Sequence, residues 1–222
     1  MASIKTHHLI VYLTAGAIAL VLGLYAGGLR DNGERQTTAI ALQGGTAVGH
    51  MHRPMPEFQL TDASGTAFDR ERLLGKWSFF FFGYTNCPDI CPMTLAMLAN
   101  TVEKIDQQAG GRGRAPYQVV FVSVDPQRDK LERLGTYVSY FNPEFVGVTG
   151  EPEAIDSLTS QLGILHANVP DPNNPDNYLV DHSASILLVN PAGELEAVLS
   201  APHSADVIAS DFQTLVQHYD QG

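Results

Sequence analysis

Residues Phe79–Thr94 read FFFFGYTNCPDICPMT. Four consecutive phenylalanines, led in by Trp77 and Ser78 and ended by Gly83, form an apolar run with no alternation. Such a run suits a strand buried on both faces of a sheet. From Cys91 to Gln108, apolar residues return at Leu95, Leu98, Val102 and Ile105, which is helical spacing. Pro88 and Pro92 fall where a first helical turn tolerates proline. A buried strand that delivers cysteines to the start of a helix is the thioredoxin arrangement.

Outward from this stretch the pattern repeats. YQVVFVSVD (117–125) reads as a second buried strand, Leu131 to Phe141 as a helix, FVGVTG as a short strand and Glu153 to Leu162 as a third helix. ASILLVN, NPAG and LEAVLS give a strand, a turn and a strand, and Ala205 to Tyr219 gives the closing helix. Upstream, Phe58 to Leu60 and Thr66 to Phe68 flank a hairpin-type turn, TDASG. Strands that alternate with helices and end in a hairpin predict an α/β fold: a thioredoxin-like three-layer sandwich around a central mixed sheet.

The N-terminal part is different. Leu9 to Leu29 contains no charged residue, and its twenty-one residues would span about 31 Å as a helix, the thickness of a bilayer core. The run is longer than a secretory signal and lacks a good small-x-small cleavage site. A single uncleaved transmembrane helix is therefore expected to precede the sandwich. Lys5 on one side and Arg30 and Arg35 on the other leave the orientation undetermined by charge. Residues 30–49 are polar and glycine-rich and read as a flexible tether. The expected organisation is an anchor over 1–30, a linker over 31–50 and a folded domain over 51–222. The formal net charge is −11, and no Lys/Arg cluster stands out. Nucleic-acid binding, which needs a basic face, is excluded from the expectations.

The chain has two cysteines, Cys87 and Cys91, four positions apart. If both lie in a helix they share a face, near enough for a disulfide and equally able to hold one ion. The positive potential of a helix N-terminus favours thiolate in either role. The spacing does not decide between them. Two thiolates alone suit Cu(I), and Cu(II) calls for a nitrogen ligand as well. Among eight histidines, His7 and His8 abut the apolar segment, His218 falls in the last helix, and His166 and His203 fall in expected loops. His182, in VDHSASILLV just before a buried strand, is the best-placed candidate. His50, Met51, His52 and Met55 crowd into six residues and form a candidate auxiliary copper site. Met93 and Met97 are expected to pack in the helix core.

Three motifs taken together, GYTNCPDICPMT, VSVDPQRD and DHSAS, resemble the SCO/SenC family of copper-binding thioredoxin-fold proteins. The resemblance covers about Pro56 to Tyr219. It implies a copper site, for Cu(I) and Cu(II), built from Cys87, Cys91 and His182. Asp125 matches a family acidic position and is implied to support the ligands from behind rather than to bind metal. The implied role is a membrane-anchored metallochaperone for the dinuclear copper site of cytochrome c oxidase. Subunit II is the implied partner, with other copper chaperones or thiol reductases as further candidates. The implied location is the cell inner membrane, spanned once, with the domain on the periplasmic or intermembrane-space-like side. Competing expectations are a thiol–disulfide reductase acting through Cys87 and Cys91 as a redox pair, and a copper or redox sensor. A peroxidase fits poorly, because YTNC lacks the wider proline–threonine–cysteine frame of peroxiredoxins. His182 separates the carrier from the reductase, which needs only the cysteines.

Overall fold

The structure is a computed structural model, and it describes residues 18, 40–51, 53–109, 115–171 and 174–221. The chain divides into two units, Met1–Thr38 and Ala39–Gly222, and the fold described is that of the second. Apart from Ile18, the expected membrane helix Leu9 to Leu29 lies outside the described residues, as does the first part of the expected tether. Among the described residues no helix is long and apolar enough to cross a membrane.

Among the described residues the core is a mixed sheet of nine strands. In chain order these are β1 (Gly45–Ala47), β2 (Arg53–Pro54), β3 (Leu60–Asp62), β4 (Ala67–Phe68), β5 (Trp77–Gly83), β6 (Tyr117–Ser123), β7 (Val146–Thr149), β10 (Ile186–Val189) and β11 (Glu194–Leu199). The path across the sheet is β1-β11-β10-β5-β6-β7-β3-β4, and β2 pairs beside β11. Strands β5, β6 and β7 are parallel, while β10 runs antiparallel to β5. Among the described residues of this unit, four α-helices accompany them: α1 (Ile90–Ala109), α2 (Leu131–Phe141), α3 (Pro152–Leu162) and α4 (Ala205–Tyr219). The thioredoxin-like α/β architecture with a central mixed sheet is what the alternation of elements predicts.

Strand β5 sits at the centre for the reason its sequence suggests. All four phenylalanines, Phe79 to Phe82, are fully buried, so both faces of the strand are covered. On one face Trp77 and Phe79 meet Phe212 of α4, with ring centroids 5.6 and 5.4 Å apart. On the other, Phe80 meets Phe68 edge-on at 6.4 Å. Each such buried aromatic contributes roughly 2–3 kcal/mol by area removed from water.

Two parts of the sequence reading are corrected. The glycine-rich tether does not run to residue 50. Gly45–Ala47 pairs with β11, and the Asp211 carboxylate of α4 accepts the amides of Gln43 and Gly44 at 2.9 and 2.8 Å. Backbone hydrogen bonds hold this segment despite its lack of an apolar pattern. The second correction is a hairpin, β8 (His166–Asp171) and β9 (Asn174–His182), which forms a separate two-stranded sheet. His166 is therefore in a strand rather than a loop, and it pairs directly with His182.

This topology brings three chain segments to one end of the sheet. Parallel β5 and β6 have their carboxyl ends side by side, with Gly83 opposite Ser123. The antiparallel β10 places its first residue, Ile186, opposite Phe81. The segment just before β10 therefore arrives next to the segment just after β5. The carboxyl edge of parallel strands is where open α/β sheets place their sites.

Candidate metal centre

Cys87 lies in the turn after β5, and α1 begins only at Ile90. The expectation of both cysteines on one regular helix face is thus corrected: Cys87 precedes the helix. Two prolines and an aspartate (Pro88, Asp89, Pro92) set the chain's entry into α1. The sulfurs still converge, because the Cys91 amide donates to Cys87 Sγ at 3.4 Å. Cys87 thus takes the part of an N-capping acceptor, one of the orphan amides of the first turn being satisfied by sulfur. Both cysteines are free, and Cys91 is wholly buried while Cys87 is 9% exposed.

Gly83 permits this close approach. A Cβ at that position would stand 2.7 Å from Cys91 Sγ and 2.9 Å from the Phe121 ring. Any side chain there would displace the cysteine.

His182 ends β9 and turns its imidazole to the sulfurs, with Nε2 3.1 Å from Cys91 Sγ. Its Nδ1 lies 3.1 Å from the Ser183 carbonyl. That carbonyl can hold a proton on Nδ1 and so free the Nε2 lone pair for a bound metal ion, the arrangement a ligating imidazole requires. The rings of Phe81 and Tyr84 meet it edge-on, each with its centroid 6.0 Å away. One donor atom from each of Cys87, Cys91 and His182 falls within 4.8 Å of the others. The three residues picked out in the sequence are brought together.

The two thiols are electrostatically unequal. Cys87 is pulled down to about 4, chiefly by the hydrogen bond from the Cys91 thiol, against the opposing effect of burial. His182 and the amides of Asp89 and Cys91 lower it further. Cys91 is pushed up, first by donating that hydrogen bond, then by burial and by the Cys87 charge. The pair therefore holds one proton on Cys91 and one negative charge on Cys87. An ordinary thiol gains reactivity by about tenfold per pH unit below its pKa, because only the thiolate attacks. With its pKa lowered, Cys87 is already thiolate above pH 5. Its iodoacetamide alkylation rate should accordingly stay flat between pH 5.5 and 8, read by mass spectrometry of the modified peptide. A rate that climbs through that range would show an unperturbed thiol.

Asp125 is not in contact with the ligand atoms. Its carboxylate accepts from the Tyr178 hydroxyl at 2.7 Å and from Arg128 Nε. The acidic residue that supports the cysteine turn is Asp129, which the sequence reading did not single out. It is fully buried and accepts from the Thr85 amide at 2.8 Å, Thr85 Oγ1 at 2.5 Å and Ser123 Oγ at 2.6 Å. Arg133 reinforces the turn by donating to Thr85 Oγ1 at 2.6 Å and to the Asn86 side chain. The only hint in the sequence was the second aspartate of VDPQRD, and nothing in its spacing names Thr85 as its partner.

The other candidates separate from the site. Met55 is 1% exposed and belongs to the hydrophobic core, whereas Met51 is 54% exposed, so these two thioethers do not converge. His52 and the side chain of His50 lie outside the described positions. Met97 packs against the core as expected, but Met93 is 62% exposed on the first turns of α1, a correction to its core assignment. His166 faces Asp156 and Thr159, each at 3.2 Å from its Nε2, and His203 lies 2.7 Å from the Ala184 carbonyl.

Comparison with known proteins identifies the family. The SCO1/SenC family profile matches residues 48–217. The chain is 32% identical over 181 residues to the mitochondrial protein SCO1 homolog 1 of Arabidopsis thaliana, covering 82% of this chain and 52% of that protein. It is 34% identical over 153 residues to the human mitochondrial protein SCO2 homolog, covering 69% of this chain and 56% of that protein. The chain thus spans about half the length of these two relatives. Among solved structures it is similar to Arabidopsis thaliana ScoI with copper bound, at a TM-score of 0.69 and 32% identity, covering 74% of this chain and 98% of that one. It is also similar to yeast Sco1 with copper bound, at a TM-score of 0.65 and 29% identity, covering 77% and 90%. With a profile match over most of the chain and the cysteine pair and histidine gathered at one sheet edge, this protein belongs to the SCO1/SenC family.

Proposed function

We propose that this protein is a copper carrier that takes one copper ion through Cys87, Cys91 and His182 and delivers it during assembly of the dinuclear copper site of cytochrome c oxidase subunit II. The observation that carries the reading is the convergence of two sulfurs and one imidazole nitrogen within 4.8 Å. The donor chemistry fits the cargo: soft thiolates select Cu(I), and an added imidazole accommodates Cu(II). The thiolate already present on Cys87 means that a single proton, that of Cys91, leaves on binding. Tyr84 and Phe81 hold the imidazole edge-on, and the buried Asp129–Thr85 bond fixes the turn that carries Cys87. Relatives of known structure that hold copper support the assignment. Titration of the reduced protein with Cu(I) under anaerobic conditions should saturate at one equivalent, and the absence of saturable binding would refute it.

The same cysteine pair suits thiol–disulfide chemistry, because a low-pKa thiolate stands beside a protonated partner. A reductase that prepares the cysteines of the recipient is the second reading, and it needs no imidazole. Both readings place the domain outside the cytoplasm, where a pair that alternates between thiol and disulfide meets an oxidising environment. The uncharged run Leu9 to Leu29 is the proposed anchor. In sealed right-side-out spheroplasts, added protease should digest the domain, and protection until detergent is added would place it on the cytoplasmic side.

A further inference from the structure

Arm β8–β9 carries His182 yet shares no strand ladder with the main sheet. Its seating on the body therefore depends on side chains. Alternation along β9 puts Tyr178, Val180 and His182 on one face of the arm, and Val180 is 4% exposed there. Three polar contacts gather on that face. The Tyr178 hydroxyl donates to Asp125 Oδ1 at 2.7 Å. Arg128 Nη1 donates to the Tyr178 carbonyl at 2.9 Å, while its Nε donates to Asp125 Oδ2. The Arg128 guanidinium is also stacked 3.6 Å from the Tyr178 ring centre and lies 5.6 Å from that of Tyr84.

The pieces form one unit. Asp125 is 4% exposed, and the Arg128 side chain is 19% exposed, so both act in partly desolvated surroundings where charge-assisted bonds gain strength. Arg128 lies near two tyrosines, one on the arm and one directly after β5 in the turn leading to Cys87. The second of these, Tyr84, also touches the His182 ring. A displacement of the arm would separate Tyr178 from Asp125 and withdraw His182 from the sulfurs together. The cysteines, held by Asp129 and Thr85 on the body, would stay in place.

We propose that Asp125, Arg128 and Tyr178 form a pin that sets the position of the β8–β9 arm and thereby decides whether His182 joins Cys87 and Cys91 as a third ligand. This inference rests on the copper reading for its consequence, but the pin itself is a property of the metal-free chain. Asp125 and Tyr178 are positioning residues, since neither touches the ligand atoms. Their effect falls on the oxidation state that needs nitrogen. Cu(II), which calls for the imidazole, is disfavoured when the arm is loose, whereas two thiolates continue to hold Cu(I).

The test uses Tyr178→Phe, which keeps the ring over Arg128 and removes only the hydroxyl, with Asp125→Asn as a second variant. In the metal-free reduced protein, hydrogen exchange at the Asn168 and Val180 amides should accelerate by about tenfold, with the amides of β5 and β6 unchanged. In copper titrations, Cu(II) affinity should fall by about tenfold, the scale of losing a group that orients a ligand, while Cu(I) affinity holds within about twofold. Unchanged exchange on the arm would overturn the pin, as would Cu(I) and Cu(II) affinities that fall together. If the unsubstituted protein binds no copper, the copper reading fails and the exchange measurement alone judges the pin.

Discussion

Oxidised to its disulfide, the protein should hold no copper at the Cys87–Cys91–His182 site. The sulfurs are already adjacent, and Cys91 donates its amide to Cys87 Sγ at 3.4 Å, so the bond needs only a small adjustment of the turn. With glutathione disulfide as oxidant, the Cys87 thiolate attacks one sulfur and expels one glutathione. Cys91 then gives up its proton, attacks the mixed disulfide and releases the second glutathione. Two electrons and the one remaining proton leave the pair, one glutathione departing as thiolate and the other as thiol, and the mass falls by about 2 Da relative to the neutral dithiol. Both soft ligands are consumed, which leaves His182 alone, and one imidazole does not retain copper against buffer. Equilibrium dialysis of the oxidised protein should recover less than about a tenth of an equivalent. Retention of a full equivalent with the disulfide intact would break the link between redox state and cargo.

The second large effect belongs to His182. Replacement by alanine removes the only nitrogen donor of the cluster. Affinity for Cu(II) should drop by more than about a hundredfold, beyond what loss of an orienting group behind a ligand costs. Affinity for Cu(I) should drop by less than about tenfold, because two thiolates suffice for the softer ion. The fold should survive, since the imidazole is only partly buried and its arm lies off the main sheet. Competition titrations with chelators selective for each oxidation state measure the split. An equal loss for both ions, or for neither, would remove His182 from the ligand set and favour the reductase, which needs only the cysteines.

Much of this was readable from the sequence because the central elements obey simple periods. The four phenylalanines, the Leu95–Leu98–Val102–Ile105 spacing and the apolar face of Ala205 to Tyr219 each report burial on the face where it occurs. The His182 arm was not readable. Its strands run through HANVPD and NPDNYLVDH, where prolines and asparagines break the alternation that marks a strand. Backbone pairing and the contacts of Tyr178 hold it, and neither leaves an apolar signature. The β1 segment escaped for a similar reason, its hold being a ladder to β11 and two amides on Asp211. At the site, chemistry singled out the cysteines and position favoured His182, while the family resemblance joined them into one ligand set. Asp129 stayed hidden because a buried carboxylate and a threonine amide 44 residues away are joined by topology alone.

Two sulfurs and one imidazole of this chain are proposed to bind the same copper ion. X-ray absorption on the reduced, anaerobically loaded protein tests it most directly. Two sulfur scatterers and one imidazole shell are expected around copper in the unsubstituted protein, with the imidazole shell lost in His182→Ala. A copper environment of nitrogen and oxygen only would contradict it.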